Sequence, residues 1–280
     1  MYILISYGDI EYILGIGITD TLALCISILI ATILVESLRK KSRWWAAGLR
    51  FDTPMIRDIL FSVLLLLFIY MFIMLTFIVF GADLDINTRI FEDDIYYLRM
   101  IYVTPFAFFI AAFIEELVFR GIIFQSIMER FGPAAAAIST SAFFSILHIW
   151  NPNIDSVALI NIFLAGILFA VMYIKTLSLW LPVFFHFIWN LNQPMTLGLP
   201  MSGVNYGAFF VKINYDYENP LMNLIFGGSF GIEGGLITTF ILLVSTYIVV
   251  KHARTSPYMS AIKFKRNIAE HKLLYPFKSL

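Results

Sequence analysis

The sequence predicts an all-α fold, a polytopic bundle of about seven transmembrane helices, and three observations carry that expectation. The first is composition: 60% of residues are hydrophobic, 14% are charged and 28 are phenylalanine. A mean hydropathy of +0.84 lies far from the usage of soluble domains. The second is the length of the apolar runs. The third is the sorting of basic from acidic residues between successive loops.

A hydrocarbon core about 30 Å thick needs about 20 apolar residues per helix. Runs at 12–36, 59–80 and 101–128 meet that length; shorter runs follow at 134–150, 155–174 and 178–193, and the last lies near 232–250. Gly132-Pro133, Asn151-Pro152 and Leu181-Pro182 interrupt the shorter group. Irregular backbone at bilayer depth must be sheltered by protein or line a cavity. The four consecutive helices from 101 to 193 are therefore expected to surround a polar cavity. No period of 20–50 residues repeats and no Ser/Gly-rich linker divides the chain. It is read as a two-span N-terminal region (1–98), the core (99–194), a loop with the last span (195–250) and a basic tail (251–280).

Arg39, Lys40, Lys41, Arg43, Arg50 and Arg57 fill the first loop, whereas Asp83, Asp85, Glu92, Asp93 and Asp94 fill the second. Basic loops stay in the cytoplasm, so the N-terminus is placed outside. The tail, with Lys251, Arg254, Lys263, Lys265, Arg266, Lys272 and Lys278 against Glu270, is placed inside, facing anionic lipid. An odd number of spans requires the same arrangement. Trp44, Trp45 and Trp150 are expected interfacial anchors. Asp9 and Glu11 precede the first run without a basic n-region or cleavage site, so that span is read as a retained signal anchor. A formal charge of +0 points away from nucleic acid and toward lipids and membrane-associated peptides or proteins as partners. The single cysteine, Cys25, excludes an internal disulfide and a cysteine-rich metal site; it is read as a small apolar residue of the first span.

Against that background the ionisable residues are costly. Glu115, Glu116 and Arg120 sit inside the third run, where each charge costs at least about 2.5 kcal/mol and marks candidate function. Glu116 and Arg120 are one turn apart with the acid N-terminal, the favourable order. Glu115 lies about 100° around the wheel, so the same arginine cannot serve both acids equally. Alone, these three charges fit a buried packing network as well as a functional site. The fourth run ends at His148, in its last helical turn, and the sixth places His186 and Asn190 one turn apart on one face. Separately these read as a satisfied interior histidine and as interhelical hydrogen-bonding glue.

Together the set combines a potential base, two imidazoles, an amide and an ion pair, which suits hydrolysis. A carboxylate in a partly desolvated cavity can accept a proton from water, and an imidazole can share it. Imidazole and amide donors can stabilise the oxyanion of a tetrahedral intermediate. A divalent metal such as zinc fits as well, with Glu115, His148 and His186 as candidate ligands and one position open. Spacing does not choose between the two.

In order along successive helices, Glu115-Glu116-x-x-x-Arg120, Phe144-x-x-x-His148 and His186-x-x-x-Asn190 resemble the three signature motifs of the CAAX protease and bacteriocin-processing (CPBP, or Abi) family of intramembrane proteases. The resemblance covers about residues 100–194. The Gly227–Gly235 run is also similar to a glycine-rich stretch before the last helix of many bacterial members. The resemblance implies an intramembrane endopeptidase in which Glu115 activates water with His148, His186 and Asn190 support the oxyanion, and Glu116 with Arg120 holds the site together. It leaves the metal undecided, since the family carries both a metalloprotease label and a proposed metal-free glutamate mechanism. The N-terminal helices and the loop from 194 to 220 match nothing that points to a particular substrate.

Gly227-Gly-Ser229-Phe-Gly231 matches Gly-x-Ser-x-Gly, but no α/β sheet pattern surrounds it, so a tight loop with close helix packing is expected rather than a nucleophile elbow. Glu233 either caps the last helix or lines the cavity mouth. His252 and His271 read as solvated residues of the tail, and no His-Glu-x-x-His zinc motif occurs. Two other functions compete. A non-catalytic scaffold, such as an immunity or sensor-regulating partner, has no chemical need for Glu115, His148, His186 and Asn190 together. A transporter with an acid proton relay is disfavoured because no pair of broken helices suggests an inverted repeat.

Overall fold

The computed structural model describes residues 48–49, 51–87, 95–216 and 218–256, with Ser27 and Ile30. The run at 12–36 apart from Ser27 and Ile30, with Cys25, the acids Asp9, Glu11, Glu92, Asp93 and Asp94, the bases at 39–43 and Arg50, Trp44, Trp45, and the tail beyond Ser256 with His271 lie outside the described residues. Those described are mostly helical: α1 (Thr53–Val79), α2 (Ile95–Glu116), α3 (Phe124–Leu147), α4 (Ser156–Thr176), α5 (Trp180–Asn192), α6 (Pro220–Phe226) and α7 (Leu236–His252). Two short strands, β1 (Asp83–Ile86) and β2 (Val211–Asn214), follow α1 and α5 respectively.

Local chemistry sets the helix limits. The Asp52 side chain accepts from the Met55 backbone N–H, and Pro54 stands in the first turn of α1, where no intrahelical donor is needed. Asp155 starts α4 in the same way through the Ala158 N–H. Within α3, Gly132 at φ 86° and ψ 169° breaks the helix, so the run at 101–128 and the one at 134–150 are separate helical pieces meeting at Gly132-Pro133. Pro182 falls in the first turn of α5 and leaves that helix uninterrupted.

By length and composition α1 and α4 can each cross a bilayer, and α7 is apolar but shorter. On α1, Leu66, Ile73 and Phe77 are buried, while Leu60, Phe68, Met71 and Leu75 point outward, each more than half exposed. Such faces suit lipid rather than water. Together the apolar helices and their outward faces point to a membrane protein.

The main packing pairs are α3 with α4, α1 with α5, α4 with α7 and α2 with α5. Leu66, Ile73 and Phe77 of α1 meet Leu168 and Met172 of α4, Phe185 of α5 and Ile241 of α7 in the largest apolar cluster. The α3–α4 crossing is close because Gly166 has no side chain: a Cβ there would lie 2.7 Å from the Ser141 Cβ. At one end of the bundle Arg254, just past α7, holds buried Asp58 of α1 through Nε at 3.1 Å and Nη2 at 2.6 Å. Ser62 donates to the Leu181 carbonyl at the same end.

The opposite end, where α3 and α5 terminate, departs from an all-helical expectation. Asp83–Ile86 pairs antiparallel with Val211–Asn214, Asp83 opposite Asn214 and Ile86 opposite Val211. Asp-Leu-Asp-Ile alternates with the period of a strand, a pattern short enough to be read as a loop. The strand pair fixes the segment from 194 to 220 onto α1, with Asn87 also donating to the Ala208 carbonyl at 2.8 Å.

Candidate active site

A continuous helical segment carries the first group of charges. α2 passes into a π-helical stretch over Leu117–Ile123, in which the Phe124 N–H reaches back to the Phe119 carbonyl, and then into α3. Such wide turns recur at functional sites because they re-aim side chains. Here Glu116 closes the α-helical part and Arg120 lies in the wide turn, both fully buried. Arg120 Nη1 donates to Glu116 Oε1 at 3.0 Å and Nη2 donates to the Gly166 carbonyl of α4 at 3.2 Å. The guanidinium carbon also stands 5.7, 5.1 and 5.2 Å from the ring centroids of Phe119, Phe144 and Phe169, close enough for cation–π attraction in a desolvated setting.

His186 of α5 joins this pair from the other side. Its Nδ1 lies 3.0 Å from Glu116 Oε1, and because a carboxylate accepts, Nδ1 carries the proton. The ring stacks on Phe169 at 4.9 Å and 20° and meets the edge of Phe144 at 6.2 Å. One oxygen of Glu116 therefore collects both Arg120 and His186. Glu115 is held more loosely: its side chain is 39% exposed, and its Oε2 lies 3.9 Å from His186 Nε2, within ion-pair range but beyond a hydrogen bond.

His148 follows α3 directly, half-buried, with Nδ1 donating to the Phe144 carbonyl at 2.7 Å and its ring 4.7 Å from that of Phe144. In the neutral ring this leaves Nε2 as an acceptor. Phe144 thus touches both histidines and the arginine, which gives the first residue of the Phe-x-x-x-His spacing a physical role. Asn190 lies one turn beyond His186 on α5, half-buried, with no side-chain hydrogen bond to another described residue. The structure brings Glu115, Glu116, Arg120 and His186 into one cluster and connects His148 to it through Phe144.

Among the described residues no group of three His, Cys, Asp or Glu side chains is arranged to hold a metal ion. Nδ1 of His186 on Glu116 is an arrangement that also leaves Nε2 free as a ligand, but with no such group assembled no metal-assisted step is derived.

Sequence patterns missed one contributor and misplaced a second. α4 carries no motif, yet it supplies the Gly166 carbonyl and the Phe169 ring; the glycine in an apolar helix was the available signal for close approach. Glu233 is the second. It neither caps α7, which has no side-chain cap, nor stands at an open mouth, being 9% exposed. Its Oε1 accepts from Trp189 Nε1 at 2.9 Å and Gln193 Nε2 at 3.0 Å. Its Oε2 accepts from the Ser202 N–H at 3.0 Å and Oγ at 2.7 Å. Burial, with a smaller contribution from the Glu233 carboxylate, raises the phenol pKa of Tyr206 in the same loop, so that phenol stays protonated at neutral pH.

The glycine run around Glu233 is a tight turn. A Cβ on Gly231, at φ 96°, would lie 2.0 Å from the Pro200 carbonyl oxygen, so this turn and the loop before β2 are pressed together. Ser229 is exposed in the 3-10 turn Gly228–Phe230, not on a strand-to-helix elbow.

Residues 97–192 match the family model described as type II CAAX prenyl endopeptidase Rce1-like. The match spans all three motifs and supports a protease function in general. No curated protein and no solved structure matches the chain.

Proposed function

We propose, with residues 97–192 belonging to the Rce1-like CAAX prenyl endopeptidase family as the premise, that this protein is an intramembrane endopeptidase cutting a peptide bond in a membrane-associated peptide or protein. The observation that carries the reading is the division of labour between adjacent acids. Glu116 is saturated at one oxygen by Arg120 and His186, while Glu115, half-exposed, meets His186 only at 3.9 Å and makes no hydrogen bond among the described residues. The first is built as support and the second as a reactant.

In this mechanism Glu115 accepts a proton from water as the water oxygen attacks the scissile carbonyl carbon. The oxyanion that forms takes hydrogen bonds from Asn190 and from His186 Nε2. With Nδ1 committed to Glu116, Nε2 bears a proton only in the imidazolium form, so the mechanism requires a cationic His186 between the two carboxylates. His148 shares the proton through Nε2, and proton delivery to the departing amide nitrogen completes the cleavage. Glu116 and Arg120 do no chemistry in this scheme; they hold the His186 ring and the wide turn.

The same reading places a bundle of about seven spans in the cell membrane, with the N-terminus outside and the tail in the cytoplasm. It rests on the basic first loop and tail and on the antiparallel order of α1 and α7, whose ends meet at Asp58 and Arg254.

The test is cleavage by the purified protein in lipid nanodiscs, presented with an S-farnesylated CAAX peptide and a library of membrane-associated peptides and followed by mass spectrometry. The endopeptidase reading expects new termini in at least one arm. Cleavage in neither would leave the same fold acting as a scaffold, for instance in immunity or sensor regulation.

A further inference from the structure

We infer that Glu233 is a positioning residue of this site: it sets the rotation of α5, and with it the aim of His186 and Asn190, from outside the family motifs. The inference rests on the endopeptidase reading for its catalytic consequence and on geometry for the rest.

At 100° per residue, His186, Trp189 and Asn190 occupy an arc of about 100° on one face of α5, and Gln193, which opens the π-helical turn Gln193–Leu197 directly after it, continues that face. Two carboxylates grip that face. Glu116 holds His186 at 3.0 Å, and Glu233 holds Trp189 and Gln193 with a single oxygen at 2.9 and 3.0 Å. Asn190 lies on the same arc, beside the two side chains that Glu233 binds, and has no bond of its own among the described residues to orient it. Its direction is therefore inherited from the helix. Rotation of α5 is resisted at His186 by one acid and a turn later by the other.

Glu233 is well held for this task. Asn161 of α4 donates to the Glu233 carbonyl at 2.7 Å and the Gly235 carbonyl at 2.9 Å, and Thr239 of α7 orients Asn161 at 2.6 Å. Tyr70 of α1 donates to the Trp189 carbonyl at 2.7 Å. The second oxygen of Glu233 binds Ser202, in the loop whose Tyr206 meets Phe108 of α2 edge-on at 5.2 Å. Phe108 and Glu115 are seven residues apart and share a face of α2. One carboxylate thus ties the oxyanion helix to a loop resting on the helix of the proposed base. A fold brace needs no such convergence on α5: among the described residues the acid is buried without a basic partner, and its side-chain donors are Trp189, Gln193 and Ser202.

The test uses the full-length protein in nanodiscs. Glu233→Gln keeps volume but turns one acceptor into an NH2, setting donor against donor at either the Trp189 indole N–H or the Ser202 backbone N–H. At a temperature where both proteins are folded, kcat on the S-farnesylated CAAX peptide is expected to fall about 10- to 100-fold with KM within about twofold. The second readout needs no activity. In a Cys25→Ala, Asn190→Cys background, Glu233→Gln is expected to change the rate of labelling by a water-soluble maleimide about fivefold. Either readout staying within about twofold of its control overturns the positioning role. If the unsubstituted protein cleaves no peptide, the endopeptidase reading fails and the labelling rate alone decides the positioning. If Glu233→Gln does not fold, Trp189→Phe, which keeps an aromatic ring near Tyr70 and removes one donor, is judged by the same two criteria.

Discussion

Replacing Arg120 by methionine probes the support of the site most sharply. The side chain is fully buried and makes three kinds of contact: Nη1 to Glu116, Nη2 to the Gly166 carbonyl, and the aromatic cage of Phe119, Phe144 and Phe169. Interhelical polar contacts in bilayers are worth about 0.6–1.7 kcal/mol each, because the unfolded helices find other partners. The larger effect is what methionine leaves behind, a buried Glu116 carboxylate with His186 as its remaining ligand. Removing one partner of a buried pair costs about 3–5 kcal/mol. At about 2–4 °C per kcal/mol for a domain of this size, the melting temperature should drop roughly 6–20 °C. Circular dichroism melts in detergent measure it. Glu116→Gln added to Arg120→Met removes the orphaned charge and should recover about 1–2 kcal/mol of the loss. An Arg120→Met protein melting within about 2 °C of the unsubstituted one would refute the argument. So would a double variant that loses the full sum of the two single effects.

Two further outcomes follow from the packing. Gly166→Ala places a Cβ 2.7 Å from that of Ser141 and 2.9 Å from its Cα; α3 and α4 must separate, at a cost of about 1–3 kcal/mol, read in the same melts, and an unchanged melt would contradict the close crossing. Ser229→Ala, at an exposed turn remote from any strand-to-helix elbow, should leave peptide cleavage within about twofold; a loss beyond tenfold would restore the serine as a nucleophile.

The grouping of the site residues was legible where it is written at helical spacing. Glu116 and Arg120 four apart, and His186 and Asn190 four apart, declare a shared face whatever the helix packs against. Because Glu115 lies about 100° away on the wheel, its exclusion from the arginine could be read from two neighbouring letters. What could not be read are contacts that depend on which helices touch. Gly166 and Phe169 look like any other residues of an apolar span until α4 is laid against α3 and α5. Glu233 was singled out as a charge beside α7, but its partners lie 31 to 44 residues away in sequence. No local period encodes that separation. The β1–β2 pair was missed for the same reason, since four residues of alternation specify a strand only once a partner edge is present.

The helix boundaries show the same split. Gly132-Pro133 marked a true break, because a glycine at positive φ followed by proline ends a helix locally. Leu181-Pro182 did not: in a first turn the missing N–H of proline has no partner to lose. Sequence shows the proline, and the position of the helix start decides its effect.

If Glu115 is the base of a peptide hydrolysis, Glu115→Gln should disable the chemistry alone, because it keeps volume and hydrogen bonding while removing the base. The measurement is single-turnover cleavage of a peptide that the unsubstituted protein cuts, with both proteins in nanodiscs and matched in melting temperature. The cleavage rate should fall about 10²- to 10⁴-fold, with Glu116 still holding Arg120 and His186. Cleavage by Glu115→Gln at the unsubstituted rate would contradict the assignment of Glu115 as the base.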